Sequence, residues 1–206
     1  QPADRQSLLE VKKRFMDTWA AHQKMYRDWG TSFYVEALNK MGALPTRNFR
    51  DCTFEKAGDI SGEVMKKLMG VEENTNWAHG CPGCPIRCKR QAAPSAINAD
   101  LASYGGPEYE TMAAFGSNCA VSDMEAILKA HVFCNANSLD SISAGTAISW
   151  AMECFEEGII NENDTGGLKI RFGDAEIMLE LLKLIAERRG FGQILAHGVG
   201  QAATLL

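Results

Sequence analysis

Three cysteines, Cys81, Cys84 and Cys88, stand in the run Gly80-Cys81-Pro82-Gly83-Cys84-Pro85-Ile86-Arg87-Cys88-Lys89-Arg90, with the spacing Cys-x2-Cys-x3-Cys. Thiolates are soft ligands suited to iron-sulfur clusters and to zinc, and a turn rich in proline and glycine lets three of them converge. A structural zinc site more often joins two such pairs far apart, and no second Cys-x2-Cys occurs later in the chain. The run therefore reads first as an iron-sulfur segment, with zinc or unliganded structural cysteines as the alternatives. A cubane cluster wants four ligands, and three come from this run. Cys52, Cys119, Cys134 and Cys154 are available by count for the fourth, but the last three fall in helical patterns, where a buried thiol is the ordinary reading. His79, two residues before Cys81, is a ligand, a hydrogen-bonding neighbour or neither; His22, His131 and His197 lack ligand-like spacing and read as ordinary helix residues. Arg87, Lys89 and Arg90 would offset part of the negative charge of thiolates and sulfides, or else form an exposed basic turn.

The elements that must position this run are helical. Leu8, Val11, Phe15 and Trp19 share one helical face, and with a capping box at Ser7 and Glu10 they predict one long helix over 7–29. Thr31 or Ser32 would cap a second, short helix through Phe33, Ala37, Leu38 and Met41, ended in the Gly42 to Pro45 region. The stretch 45–61 is irregular by composition, and 61–69 reads as another short helix. From Gly70 to Gly106 there is no sustained periodicity, which marks a long functional loop or cluster-binding segment. Beyond it come a helix over 108–119, a helix to about Asn135 capped by Ser122 with Glu125, and a helix over 140–158. That last helix has a small face, Ala144, Gly145, Ala147 and Ala151, that would let a neighbouring backbone approach closely. Asp174 caps an amphipathic helix carrying Ile177, Leu181, Leu184 and Ile185, stopped by Gly190. A last helix, about 191–205, is weakened by Gly198 and Gly200.

The expected fold class is therefore mostly α, a single multi-helix domain over 1–206 with an irregular iron-sulfur cluster-binding loop inserted before its main helices. With 206 residues, 46% of them hydrophobic, the chain can bury a substantial core. The net charge of −5 and the interspersed signs favour neither nucleic acid nor an anionic membrane. No stretch approaches the roughly 18 apolar residues of a bilayer span, and residues 1–10 contain no apolar signal core, so the reading is a soluble, cytoplasmic protein. Seven cysteines, an odd count in a chain of this size, argue against a disulfide framework. The first residue is Gln rather than Met, which is read as a start within a longer gene.

Together with the segments downstream of it, the cysteine run resembles the aldehyde ferredoxin oxidoreductases. Gly106-Pro107-Glu108-Tyr109-Glu110 is similar to that family's Gly-Pro-Glu-Tyr-Glu segment, and the stretch from Cys134 to Ser143 resembles its first pterin-binding segment. Ala151 to Cys154, Phe172-Gly173-Asp174 and Leu195 to Val199 are also similar, in the same order. The resemblance implies an oxygen-sensitive enzyme that converts an aldehyde and water to a carboxylic acid. Its metal, tungsten or molybdenum, is held by two pterin dithiolenes, and a 4Fe-4S cluster passes electrons singly to ferredoxin. It assigns Cys81, Cys84 and Cys88 to the cluster. It assigns Glu110 to a carboxylate near the metal, whose burial would suit it to proton transfer. Read without the resemblance, Glu110 is a first-turn helix carboxylate favoured by the dipole. Asn135, Leu139 and Asp140 fall on the pterin motif Asp-x-x-Gly-Leu-Asp, with Asn135 in place of the first Asp and Ser138 in place of the Gly. Ser takes a left-handed turn less cheaply than Gly. Asp140 by itself reads as a helix N-cap.

The resemblance also implies parts not in this chain: an amino-terminal pterin-cradle domain, a second pterin motif ending in the fourth cluster cysteine, and a catalytic histidine. The chain alone would then be inactive, completed by the rest of the same protein or by partner subunits, with a homodimer left open. Relatives acting on sugar-derived aldehydes, a reductase of aromatic thioesters, a non-catalytic electron-transfer subunit and a zinc-stabilised helical module stand as alternatives.

Overall fold

The computed structural model describes residues 4–72, 76–93, 96 and 100–206. Residues 1–3, 73–75, 94, 95 and 97–99, and the side chains of Ala20, Ala21 and His22, lie outside the described residues. The chain is mostly helical, as its periodicity predicts. Its helices are α1 (Arg5–His22), α2 (Lys24–Trp29), α3 (Phe33–Lys40), α4 (Gly62–Leu68), α5 (Leu101–Tyr104), α6 (Tyr109–Phe115), α7 (Met124–Ala136), α8 (Ser141–Glu156), α9 (Ala175–Glu187), α10 (Phe191–Leu195) and α11 (Val199–Leu205). Two short strands, β1 (Ala78–His79) and β2 (Lys89–Arg90), pair antiparallel, Ala78 opposite Arg90 and His79 opposite Lys89. The segment from Gly70 to Gly106 thus holds a small hairpin and one turn of helix that no periodicity announced. No helix among the described residues is long and apolar enough to cross a membrane.

The opening helix is shorter than predicted and capped elsewhere. Asp4, not Ser7, caps α1: its carboxylate accepts from the amides of Gln6 and Ser7, both at 3.0 Å. Gln23 leaves helical geometry, at φ −110° and ψ 34°, and separates α1 from α2. The apolar stripe of α1 is not core either. Leu8, Val11, Phe15 and Trp19 are 52%, 57%, 48% and 42% exposed, so the periodicity is real but unpartnered in this chain. Similarly, α7 is capped by Asp123 rather than Ser122, with Asp123 Oδ1 accepting from Glu125 N at 2.9 Å. The predicted last helix divides into α10 and α11 at Gly198, whose φ is +79°. The left-handed cap that ends α9 is Arg188, not Gly190. The expected caps at Asp140 and Asp174 are in place, accepting from Ile142 N and Ile177 N, and Ser61 caps α4 by accepting from Val64 N.

The core lies among α6, α7, α8 and α9, with Met112, Phe115, Ile127, Leu128, Ile148, Met152 and Leu181 buried together. The small face of α8 does what its sequence implies. A Cβ placed on Gly145 would sit 2.8 Å from both the carbonyl carbon and the Cβ of Ala114, so α6 and α8 meet backbone to backbone. The Cys119 thiol is buried at that contact, donating to Ala114 O at 3.3 Å and facing Gly145 O at 3.6 Å. Across the same helix pair, the hydroxyls of Thr111 and Ser141 are 2.7 Å apart and join the first turns of α6 and α8.

The end of α7 accounts for the drift at Ser138. Ser138 takes the left-handed conformation, φ +55°, that the sequence argument reserved for glycine. Leu139 N donates to Cys134 O at 2.9 Å and Ser138 N to Asn135 O at 3.4 Å, the paired bonds that terminate a helix with a left-handed residue. Each bond is worth about 1 kcal/mol, and the left-handed serine costs about 1–2 kcal/mol. The motif holds with little margin. Ser138→Gly is therefore expected to stabilise the protein by roughly 0.5–1 kcal/mol, read as a higher thermal midpoint with unchanged far-UV circular dichroism.

Candidate functional site

The loop between β1 and β2 carries all three cysteines of the run. Cys84 N donates to Cys81 O at 3.0 Å, closing a turn with Pro82 second and Gly83, at φ +76°, third. Proline presets the first central φ of a type II turn and glycine supplies the positive φ of the second. Such a turn brings its first and last α-carbons within about 7 Å. At the neck of the loop a Cβ on Gly80 would lie 2.9 Å from Arg87 Cα, so the two limbs cross where only glycine fits. Arg87, at φ +55°, donates from its guanidinium to Ala78 O at 3.0 Å. Cys81 is exposed, Cys84 and Cys88 are half-buried, and all are free thiols. Burial, and after it the carboxylate of Glu108, pushes the Cys88 thiol up, while Lys89 opposes the shift. Among the described residues no three His, Cys, Asp or Glu side chains are gathered closely enough to hold a metal ion. The donor set fits a cluster in chemistry: three free, reachable thiols on one loop with a lysine beside them.

The other cysteines lie apart from this chemistry. Cys119, Cys134 and Cys154 are buried in the helical region, as the sequence reading expects, and burial pushes all three thiols up, Cys134 to about 12. Cys52 is exposed. His79 is exposed on β1, opposite Lys89.

What joins the cysteine loop to the rest of the site is the segment 105–111. Gly106 N donates to Arg90 O at 2.9 Å, and Lys89 Nζ lies 2.8 Å from Glu108 Oε1. The other oxygen of Glu108 accepts from Thr31 Oγ1 at 2.5 Å, and that hydroxyl in turn accepts from Tyr109 N at 2.8 Å. Thr31, expected as the cap of the second helix, caps α6 instead. Two residues beyond Glu108, Glu110 stands in the first turn of α6. It is exposed, so the burial expected of it is not supplied by this chain: the side chain borders an apolar cavity rather than the core. That cavity, of about 140 Å³, is also lined by Phe49, Tyr109, Asn118, Ile142 and Thr146.

The wall bearing Phe49 was missed by the sequence reading, which found 45–61 merely irregular. Arg47, Asn48 and Phe49 are consecutive left-handed residues, φ 46°, 54° and 64°. Such residues cost of order 1–3 kcal/mol each and persist only when their surroundings fix them. Here the amides of Arg47 and Asn48 donate to Ser117 O and Asn118 O at 3.1 and 3.0 Å, and Phe49 N donates to Asn118 Oδ1 at 3.0 Å.

The segment assigned by resemblance to the pterin sits on the adjacent helix ends. Asp140 is exposed, accepting from Ile142 N at 3.0 Å and from the Ser143 hydroxyl at 2.7 Å; the Ser143 bond leads in holding its carboxyl below the usual range. Each oxygen keeps a free lone pair. Leu139 and Asp140 border a second cavity, of about 130 Å³, with Ser143, Ala147, Ile185 and Leu195. Asn135 is exposed and donates to His131 O at 2.8 Å. The Thr111–Ser141 bond places the Glu110 and Asp140 turns side by side, and the segment 105–111 links the Glu110 turn to the cysteine loop.

Comparison with known proteins places the chain in a family. The family model described as "Aldehyde ferredoxin oxidoreductase, domains 2 & 3" matches residues 8–206. The chain belongs to the aldehyde ferredoxin oxidoreductase family. The tungsten-containing aldehyde ferredoxin oxidoreductase of Pyrococcus abyssi is 37% identical over 174 residues, 82% of this chain and 27% of that protein. The aliphatic sulfonate oxidoreductase, WOR-like subunit, of Pyrococcus furiosus is 27% identical over 86% of this chain and 28% of its own length. Among solved structures, the BamBC active-site complex of benzoyl-coenzyme A reductase shares the fold, with a TM-score of 0.61 at 19% identity, covering 91% of this chain and 29% of the other. The chain thus spans just over a quarter of the length of these relatives, within a family of oxidoreductases.

His131, read as an ordinary helix residue, ties this region to α7. It is buried, its Nε2 is 3.0 Å from Gly105 O, and burial leads in holding its pKa below 6.5. As pH falls below about 6.5, the unfolded chain takes up a proton that the folded imidazole refuses, so stability present at neutral pH is lost on acidification. Thermal midpoints measured from pH 8 to pH 5 are expected to fall, and His131→Gln to flatten the slope.

Proposed function

We propose that this chain is the helical part of an enzyme that oxidises aldehydes to carboxylic acids and delivers the electrons to ferredoxin. The balance is aldehyde plus water giving acid, two protons and two electrons. Cys81, Cys84 and Cys88 hold three corners of a 4Fe-4S cluster. Asn135, Leu139 and Asp140 border the pterin, with the Asp140 carboxylate accepting from its ring N–H groups. Bound there, a tungsten or molybdenum bis-pterin centre would accept the electron pair and the cluster would pass it on singly. Glu110 takes a proton as water adds to the aldehyde carbon, and the apolar cavity beside it holds the organic part of the substrate. The remaining cluster ligand and the other side of the pterin come from parts of the protein outside this chain.

The observation that supports this reading is the sharing of segment 105–111. One short stretch is bonded at Gly106 and Glu108 to the cysteine loop and carries Glu110 and Thr111 to the Asp140 turn. An electron carrier placed next to a proton-transfer carboxylate is what a two-electron oxidation with one-electron delivery needs. The fold shared with the benzoyl-coenzyme A reductase complex supports a second reading, an aromatic thioester as substrate.

The test is anaerobic purification of the full-length protein, metal analysis and EPR of the dithionite-reduced sample, followed by an assay against aldehydes and aromatic thioesters. About four irons with a reduced-cluster signal are expected, and Cys88→Ser should lower iron content and remove the signal. Glu110→Gln should keep both and slow aldehyde oxidation by roughly a hundredfold or more. Zinc in place of iron would sink the redox reading. Turnover of the thioester alone would move the substrate to the second.

A further inference from the structure

Arg90 is the most deeply buried cation of the cysteine hairpin, at 3% exposure. Its guanidinium donates to four backbone carbonyls: Nε to Cys88 O at 3.3 Å, Nη1 to Arg27 O at 2.7 Å, and Nη2 to Tyr26 O at 3.0 Å and Arg87 O at 2.6 Å. It lies over the Trp77 ring, 5.1 Å from the centroid. Two of the carbonyls belong to α2: Tyr26 O, which also accepts from Gly30 N, and Arg27 O near the helix end. The other two belong to the cysteine loop, one of them to Cys88 itself. The surrounding backbone is shaped to this side chain. A Cβ on Gly30 would lie 2.5 Å from Cys88 O and 2.9 Å from Arg90 Nε, and one on Gly105 would lie 2.5 Å from Arg90 O.

The hydrogen bonds are met, but the charge is not. No carboxylate among the described residues lies within ion-pairing distance of Arg90; Glu108 pairs with Lys89. Asp28 and Glu108 act on the guanidinium only through space, and desolvation outweighs them. Burying a cation without a counter-charge is costly even after relaxation. The carbonyls at the end of α2 and the Trp77 face offset part of that cost. A neutral amide has two N–H donors and could make at most two of these four bonds, so the tether itself asks for a guanidinium. A full positive charge, held two residues from Cys88 and bonded to its carbonyl, needs negative charge nearby, and thiolates around a cluster supply it.

We infer that Arg90 is a positioning residue for the proposed iron-sulfur cluster, fixing the Cys88 limb of the loop against α2 and supplying the buried counter-cation that favours the more negative, reduced cluster. This inference rests on the cluster reading of Cys81, Cys84 and Cys88. It separates into two roles with different readouts. The tether governs how firmly iron is held. The charge governs the reduction potential, since net charge and hydrogen bonding around a cluster set its potential.

The test uses the full-length anaerobic protein and the variants Arg90→Lys and Arg90→Gln, with iron content, the rate of iron loss to a chelator and the cluster midpoint from EPR-monitored redox titration. Lysine keeps the charge but lacks the planar fork. Arg90→Lys is expected to stay near the wild-type midpoint while losing iron about tenfold faster. Arg90→Gln is expected to show the faster loss together with a more negative midpoint. If Arg90→Gln holds too little iron to titrate, Arg90→Lys decides alone: a wild-type rate of iron loss, or a large change of midpoint, overturns the inference. Equal midpoints in a loaded Arg90→Gln overturn it too. Failure of the underlying reading is seen separately, in the wild type, as zinc or no metal at all.

Discussion

The backbone contact between α6 and α8 is the constraint from which the rest of the molecule is organised. Two helices can approach this closely only where one of them has no side chain, and Gly145 faces the carbonyl carbon of Ala114 with no room for a methyl group. The approach fixes the helix pair along its length. At one end it lets Thr111 and Ser141 share a hydrogen bond, which sets the Glu110 and Asp140 turns side by side. Further along, it buries the Cys119 thiol and aligns Asn118 with Ser149, whose hydroxyl accepts from Asn118 Nδ2 at 2.9 Å. Asn118 in turn holds the left-handed Phe49 turn that walls the cavity. A site carried on the ends of a rigid helix pair is positioned more tightly than one on free loops.

The cysteine loop has no comparable rigidity of its own. A hairpin with two residues in each strand is marginal in isolation, and its order is imported. Trp77 Nε1 donates to Asp28 O at 2.8 Å, Arg90 grips the end of α2, and Gly106 N binds Arg90 O. The loop is thus clamped between the short helices that open the chain and the segment that enters α6. Thr31 closes the same clamp from the other side, because one hydroxyl both caps α6 and holds the carboxylate that pairs with Lys89.

Legibility in the sequence divides along the range of the interactions involved. The caps at Asp140 and Asp174, the small face of α8 and the Pro82-Gly83 turn were all readable, because each is decided by residues within a turn or two of itself. Asp123 displaced Ser122 because adjacent residues compete for one cap and the carboxylate accepts more strongly, whereas α1 begins a turn earlier than read, with Ser7 inside it donating to the Asp4 cap. Thr31 was read as a local cap, and its partners lie in a distant helix, which no local pattern reveals. The left-handed residues Arg47 to Phe49 were invisible for the same reason, being held by amide bonds to Ser117 and Asn118. Of the candidate site, the residues were legible and their neighbourhood was not. Cys81, Cys84 and Cys88 stood out by type and spacing, and Glu110 and Asp140 by the family resemblance, whereas the bonds of segment 105–111 and the burial of Arg90 needed coordinates.

The exposure of the candidate residues reflects where the chain places its chemistry. Glu110, Asn135, Asp140 and Cys81 are all at helix ends or loop tips, and none is enclosed by the core. A carboxylate at the end of a helix keeps its charge at little cost in water, and becomes a tuned acid or base only when something dry is laid over it. The helix pair therefore fixes the direction and spacing of these groups through backbone contacts that tolerate no change, as at Gly145; in the proposed reading, their desolvation would be supplied by the rest of the protein. The loop and the carboxylate are coupled through few atoms. Arg90, Gly106 and Glu108 form one continuous chain of bonds, so a shift of the Cys88 limb reaches the first turn of α6 without passing through the core.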